Sequence, residues 1–241
     1  MLKNHSSLLL CSLTGNLILC GIGILVAPIF YRFIRVHADI RAVLFLLMLI
    51  LIMAAAFIFF SLMGHIAGKY TIRGDKETFV ESLKSSSKFM LFFVSITVVY
   101  ALLCGLMSSL IYFVLHSFVQ YDVIKQIINI LTHITTVAVI PVVIMELLSF
   151  SLSRLETKDA IRAGLAGSKE AYFKLLLIIV VFLIAGATLS LITGMIGNSL
   201  IKAITEVIGY TIIGGLGTYI VYRIGIKTYT TPRRRKYERE Y

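Results

Sequence analysis

Tryptophan is absent from this sequence, and proline, cysteine and acidic residues are scarce. Among 241 residues there are three Pro, three Cys and 12 Asp or Glu, against 23 Lys or Arg. Cys11, Cys20 and Cys104 lie within apolar runs, at spacings that match no zinc or redox motif, so we predict neither a disulfide framework nor a metal centre. The histidines form no HExxH pattern, and no catalytic or nucleotide-binding motif is present. We therefore expect no cofactor and a protein that is not an enzyme.

What the sequence does contain is apolar residues in long blocks. They make up 59% of the chain and give a mean hydropathy of +0.94, whereas soluble domains are about 45–50% apolar. The charged residues stand in short clusters between these blocks and leave no room for a soluble domain. The net charge of +11 is typical of basic loops that face anionic lipid headgroups, so we expect a lipid partner and no nucleic acid.

Six of the apolar blocks are long enough to cross a bilayer, which takes about 20 residues. The first contains 23 consecutive uncharged residues from Leu8 to Phe30. It is too long for a typical signal peptide, and no cleavage motif follows it, so we interpret it as a retained span, with a signal sequence as the alternative. The six predicted spans lie at about 8–31, 42–64, 89–116, 127–149, 175–197 and 207–224.

The distribution of basic residues predicts the orientation. With both termini in the cytoplasm, 18 of the 23 Lys and Arg lie on the cytoplasmic side. This topology places three basic residues outside, against the general trend: Arg32, Arg35 and Arg41. Either the more numerous basic residues further along the chain determine the orientation, or the first segment is re-entrant or lies on the membrane. We expect a multi-pass protein of the cell membrane.

Two basic segments resemble each other and define a weak internal repeat. An offset of 81 aligns Val80 with Ile161 and Lys88 with Lys169. Each segment has amphipathic spacing and precedes a pair of spans, which predicts a helix lying at the membrane interface. The predicted fold is thus an all-α polytopic bundle of about six transmembrane helices with two interfacial amphipathic helices. We divide this single membrane domain, 1–241, into a helix pair (1–68), a first unit (69–153), a second unit (154–226) and a basic tail (227–241).

The fourth span carries the candidate functional residues Glu146, His133 and Pro141. Glu146 is the only acidic residue within a predicted span, and ionisable groups in membranes are costly and often functional. It could serve as a proton or cation relay or bind substrate, or it could pair with a basic group at the cytoplasmic helix end. Pro141 predicts a kink, so this polar helix could line a substrate path or could only bond to its neighbours.

Small residues and a basic cluster suggest two further roles. Gly186, Ser190 and Gly194 recur every four residues, which favours close helix packing within the chain or in a dimer. In the last span, Gly214 pairs with Thr218 and Gly215 with Thr211 at the same spacing. The tail residues Arg233, Arg234, Arg235 and Lys236 form a polybasic cluster that we expect to contact lipid headgroups.

Several segments of residues 64–225 resemble one family. These are Glu146-Leu147-Leu148-Ser149, the run from Lys158 to Leu165, and the run from Ser168 to Lys174 before a long apolar block. They resemble the helical membrane domain fused to some bacterial glycerophosphodiester phosphodiesterases, and related stand-alone prokaryotic membrane proteins. The resemblance implies a type of fold. The chain has no phosphodiesterase domain, so that activity is not implied.

Together these features favour a non-enzymatic membrane component. We expect a subunit or accessory of a transport, export or immunity system, with other membrane subunits or a homo-oligomer as partners. One alternative is a stand-alone permease for a small solute, peptide or lipid. Another is an intramembrane enzyme acting on lipid, which would need Glu146 and His133 to converge on one cavity.

Overall fold

The protein, seen in a computed structural model, is built from long helices. The structure describes residues 6–26, 28, 41–68, 79–153 and 157–230, and these contain no strand. Six helices in them are long and apolar enough to cross a membrane. They are α1 (Ser6–Gly21, continued by a π-helical segment, Ile22–Val26), α2 (Arg41–Gly68), α3 (Phe79–Leu115), α4 (Tyr121–Ser153), α5 (Thr157–Gly194) and α6 (Ser199–Thr230). The predicted multi-pass, all-α bundle is confirmed.

The helices form a ring in which each contacts the next, and α6 closes on α1. Across the ring, α2, α4 and α6 also contact one another. Short turns at 116–120 and 195–198 join α3 to α4 and α5 to α6, which makes both pairs antiparallel hairpins. Helices α1, α3 and α5 therefore begin at the end of the bundle where α2, α4 and α6 finish.

We call this end the basic end, because most of the charge lies there. Helices α3, α5 and α6 carry the described basic residues of this end, which are Lys84, Lys88, Lys158, Arg162, Lys169, Lys174, Arg223 and Lys227. At the opposite end the described helices contribute Arg41, Lys125 and Lys202. The structure thus reproduces the predicted segregation of charge, although it does not fix which end faces the cytoplasm.

The first segment is a helix that runs antiparallel to α6 and to α2. The Ser12 hydroxyl of α1 donates to the Gly215 carbonyl of α6 over 2.5 Å. Leu8, one turn earlier in α1, belongs to the same buried cluster as Tyr222, further along α6. This arrangement favours the interpretation that the first segment crosses the membrane over the interpretation that it is re-entrant or lies on the membrane. Arg32 and Arg35 lie outside the described residues.

The two predicted interfacial helices are not separate elements. Residues 79–88 are the start of α3, an unbroken helix with a total length of 37 residues. Residues 157–174 are likewise the start of α5, which has 38 residues in all. No proline interrupts either junction, and the charged residues there are compatible with helix, so nothing ends the helix before the apolar block. At 1.5 Å per residue α5 is about 57 Å long, well beyond the ~30 Å hydrocarbon core.

The two hairpins match in length and in buried positions. Helices α3 and α4 have 37 and 33 residues, and α5 and α6 have 38 and 32. An offset of 78 places buried Ser82 on buried Ala160 and buried Ser86 on buried Gly164. The offset of 81 expected from the sequence pairs exposed Val80 with partly buried Ile161 instead. These buried positions therefore align at an offset three residues smaller than the one expected from the sequence, a difference of nearly one helical turn.

Packing is tight towards the basic end and loose towards the opposite end. The main buried cluster includes Met63, Leu148, Leu175 and Tyr222, and every residue from 145 to 152 of α4 is buried. Towards the other end, large apolar side chains such as Phe113 remain exposed. The buried core of the bundle is therefore off-centre and lies nearer the basic end.

Candidate functional site

Glu146 lies inside the bundle, between α4 and α5. Its side chain is only 1% exposed. Both carboxyl oxygens are buried and have no hydrogen-bond partner within the described ranges. They lie against Gly164 of α5, where a Cβ atom would collide with the carboxyl group. The missing side chain of Gly164 therefore makes the space that Glu146 fills.

This close approach of α4 and α5 depends on small residues along one face of α5. Ala160, Gly164, Gly167 and Ala171 are all buried on it, and their spacing of three or four residues keeps them on one side of the helix. The Ser149 hydroxyl of α4 donates to the Ala160 carbonyl over 2.6 Å. These features position the backbone of α5 directly beside Glu146.

Pro141 is buried in α4, which continues as helix through it. Proline has no amide hydrogen, so the Val137 carbonyl loses its usual helical donor. The neighbouring Ala138 carbonyl accepts a hydrogen bond from the Tyr172 hydroxyl of α5 at 3.0 Å. Pro141 therefore lies within the α4–α5 contact, and the predicted kink stays a prediction.

The structure does not bring His133 to Glu146. The two residues are 13 positions apart on α4, or about 20 Å along the helix. His133 is exposed on the bundle surface, and its Nδ1 is 2.6 Å from the Asn129 carbonyl of its own helix. The convergent pair that an intramembrane enzyme would need is therefore not formed by these residues.

The predicted packing stripe of α5 is only partly in contact with its own chain. Gly186 is beside the Tyr210 ring of α6, at 3.7 Å from the Cβ position, whereas Ser190 and Gly194 are exposed. Their role in a dimer stays a prediction. In α6, by contrast, Gly214 and Gly215 face Asn16 and Leu13 of α1 at close range, and this predicted close approach is confirmed.

Other sequence-based sites have different outcomes. Arg233, Arg234, Arg235 and Lys236 lie outside the described residues, so their lipid contact stays a prediction. Within the described helices, no group of three or more His, Cys, Asp or Glu side chains is placed to hold a metal ion.

Sequence patterns did not single out a second buried polar pair, Ser151 and Tyr222. Tyr222 is 1% exposed and Ser151 5%. Ser151 faces Gly64 of α2, with 3.2 Å between its Cβ and the Cβ position of the glycine. Sequence analysis usually assigns a Tyr at the end of a span to the membrane interface. A buried Tyr at such a position is therefore not recognised from the sequence.

No known protein family, curated protein or solved structure matches this chain. The resemblance to the phosphodiesterase-associated membrane domain therefore stays a prediction, and the site is interpreted from its own geometry.

Proposed function

We propose that this chain is a non-enzymatic membrane subunit or accessory of a transport, export or immunity system, and that a partner subunit docks on its basic end. The observation that carries the proposal is the length and exposed face of α5. Even tilted by 40°, the upper end of the usual range, a helix of 38 residues spans about 44 Å of bilayer depth. The excess lies at the charged start of α5, because Leu175–Gly194 is the apolar part.

The protruding part of α5 has two different faces. Its small residues pack against α4, as described above. The outward face carries the exposed residues Lys158, Arg162, Leu165, Lys169 and Phe173, at spacings of three or four. Leu165 is 47% exposed and Phe173 80%. A surface that mixes cations with large apolar groups is suited to an acidic amphipathic segment of a partner protein.

The placement of the polar groups within the bundle also supports a subunit over a lone permease or an enzyme. Glu146 is enclosed by packed residues, and His133 is on the outer surface some 20 Å away along α4. A substrate path along this helix would need both groups to face one cavity. The specific observation that favours a permease is the buried carboxyl of Glu146 without a hydrogen-bond partner in the described part of the chain, so this remains the second candidate.

Purification in mild detergent, followed by mass spectrometry, tests the proposal. We expect a stoichiometric partner subunit that is lost when Arg162→Glu and Lys169→Glu reverse the charge of the stripe. Lys125→Glu is the matched control, because this exposed lysine lies at the opposite end of the bundle. It should leave the complex intact, and all variants should elute as folded protein.

A different result would favour the permease. If the protein purifies as a homo-oligomer without another subunit, and Glu146→Gln abolishes solute flux in vesicles at normal expression, then the subunit hypothesis is wrong. Flux that is unchanged in Glu146→Gln would instead assign this residue to packing.

A further inference from the structure

An open groove lies between α1 and α2, separate from Glu146 and from the stripe of α5. Its volume is about 570 Å³. Helix α1 contributes Leu10, Thr14 and Ile18, and α2 contributes Ala55, Ile58 and Leu62. Leu10, Ile18 and Ile58 are each more than half exposed, so the groove opens outwards along its length.

The groove has the chemistry and position of a lipid site. It is almost entirely apolar, and both helices that line it are candidate membrane spans. It extends from Ser7 to Leu19 of α1, which is about 18 Å at 1.5 Å per residue. One leaflet contributes about 15 Å, half of the hydrocarbon thickness. The groove therefore has the length of one leaflet and not of the whole bilayer.

One end of the groove lies at the basic end of the bundle, where Ser7 of α1 and Ile66 of α2 line it. Most of the described basic residues of α3, α5 and α6 gather at this end, and two of them, Lys84 and Lys88, are exposed on α3, the helix that contacts α2. An anionic headgroup at the mouth of the groove would therefore lie at the positively charged end of the bundle.

We propose that the α1–α2 groove binds one acyl chain of an anionic phospholipid from the leaflet at the basic end. The acyl chain lies against Ala55 and Thr14, which line the groove on its two sides. The headgroup stays at the Ser7 end. This site does not depend on a partner subunit, so it can be tested on the purified protein alone.

The absence of tryptophan allows a clean fluorescence test. Ile58→Trp places a single reporter in the groove. Leu91→Trp places one on the exposed surface of α3 at similar depth, because Ile58 is ten residues from the end of α2 and Leu91 is 12 from the start of α3. Each variant is reconstituted in phosphatidylcholine vesicles and titrated with phosphatidylglycerol that carries bromine on its acyl chains, which quenches a neighbouring indole.

We expect Ile58→Trp to be quenched in a saturable way, with about fivefold preference over brominated phosphatidylcholine. That preference is the size expected from one additional cation at an anionic surface. Leu91→Trp should be quenched only in proportion to the mole fraction of brominated lipid. Adding Ala55→Phe, which fills the groove, should remove the saturable phase from Ile58→Trp. Ala54→Phe, one position away and outside the groove, should preserve it.

Three results would overturn the proposal. One is quenching of Ile58→Trp that matches Leu91→Trp, because the groove would then hold only bulk lipid. Another is a groove reporter that brominated lipid cannot reach, together with a dimer that Ala55→Phe dissociates, because the occupant would then be a second copy. The third is saturable quenching with equal affinity for both headgroups. The comparison of the two reporters is decisive even if Ala55→Phe fails to fold.

Discussion

At the scale of single residues, glycines determine how closely the helices approach. Gly215 of α6 is the clearest example, because a Cβ atom there would lie 2.6 Å from the Leu13 Cδ2 atom and 3.2 Å from the Leu13 Cα atom of α1. The backbone atom cannot move away as a side chain can. Helices that associate in lipid depend on such close contact, since apolar burial offers little between them.

We expect Gly215→Leu to separate α1 from α6 and to lower the free energy of unfolding by about 1–3 kcal/mol, the usual cost of overpacking. For a chain of this size the melting temperature in detergent should fall by several degrees. Gly105→Leu is the matched control, because no described atom beyond its own stretch of helix lies within 4 Å of a Cβ at that position. Equal melting temperatures for the two variants would contradict the assigned contact.

Residue patterns anticipated some of this packing and not the rest. The pairing of Gly214 with Thr218 correctly indicated a close contact in α6, and Asn16 of α1 donates to the Thr218 hydroxyl over 3.3 Å. The same spacing at Ser190 and Gly194 leaves both residues exposed in the described part of the chain. The spacing shows on which face of a helix the side chains are small. It does not show what covers that face, because lipid can pack against small side chains as well as another helix can.

At the scale of helices, the α3–α4 hairpin is joined in its looser half by one tyrosine. The Tyr100 hydroxyl lies 2.8 Å from the Thr136 hydroxyl and 3.1 Å from the Thr135 hydroxyl of α4. Hydrogen bonds between helices in membranes contribute about 0.6 kcal/mol on average.

Tyr100→Phe should therefore increase hydrogen–deuterium exchange in α4 between residues 121 and 136, while the packed segment at 145–152 stays protected. Thr97→Val serves as the control, because the Thr97 hydroxyl donates to the Phe93 carbonyl of its own helix and not to another described helix. Faster exchange in both variants would show that the effect does not come from the interhelical bond.

The length of the helices was less predictable than their number. Six apolar blocks gave six helices, because about 20 apolar residues identify a span reliably. The sequence also showed that 79–88 and 157–174 are amphipathic, but not that they continue straight into α3 and α5. An interfacial helix and the protruding end of a span can share one amphipathic pattern. The two cases differ in what covers the apolar face of the helix, which is lipid for an interfacial helix and another helix for the end of a span. In this protein the buried side of α5 packs on α4.

At the scale of the whole molecule, the segregation of charge predicts the orientation. If the basic end faces the cytoplasm, a membrane-impermeant thiol reagent should label a cysteine at the opposite end from outside the cell. In a variant without the three native cysteines, Asn198→Cys should react in intact cells. Lys169→Cys, at the basic end, should react only after permeabilisation. Both positions are exposed, so the reversed pattern would invert the topology.

The closure of the ring by α1 and α6 has a consequence for biosynthesis. Of these six helices, α1 is synthesised before the others, and α6, its partner along Ser12, Leu13 and Asn16, is synthesised after them. Until α6 leaves the ribosome, Ser12 and Asn16 lack the acceptors that they find on α6 in the finished protein. A chain that stops before Ser199 would therefore leave the Ser12 hydroxyl and the Asn16 amide of α1 without the acceptors that α6 provides.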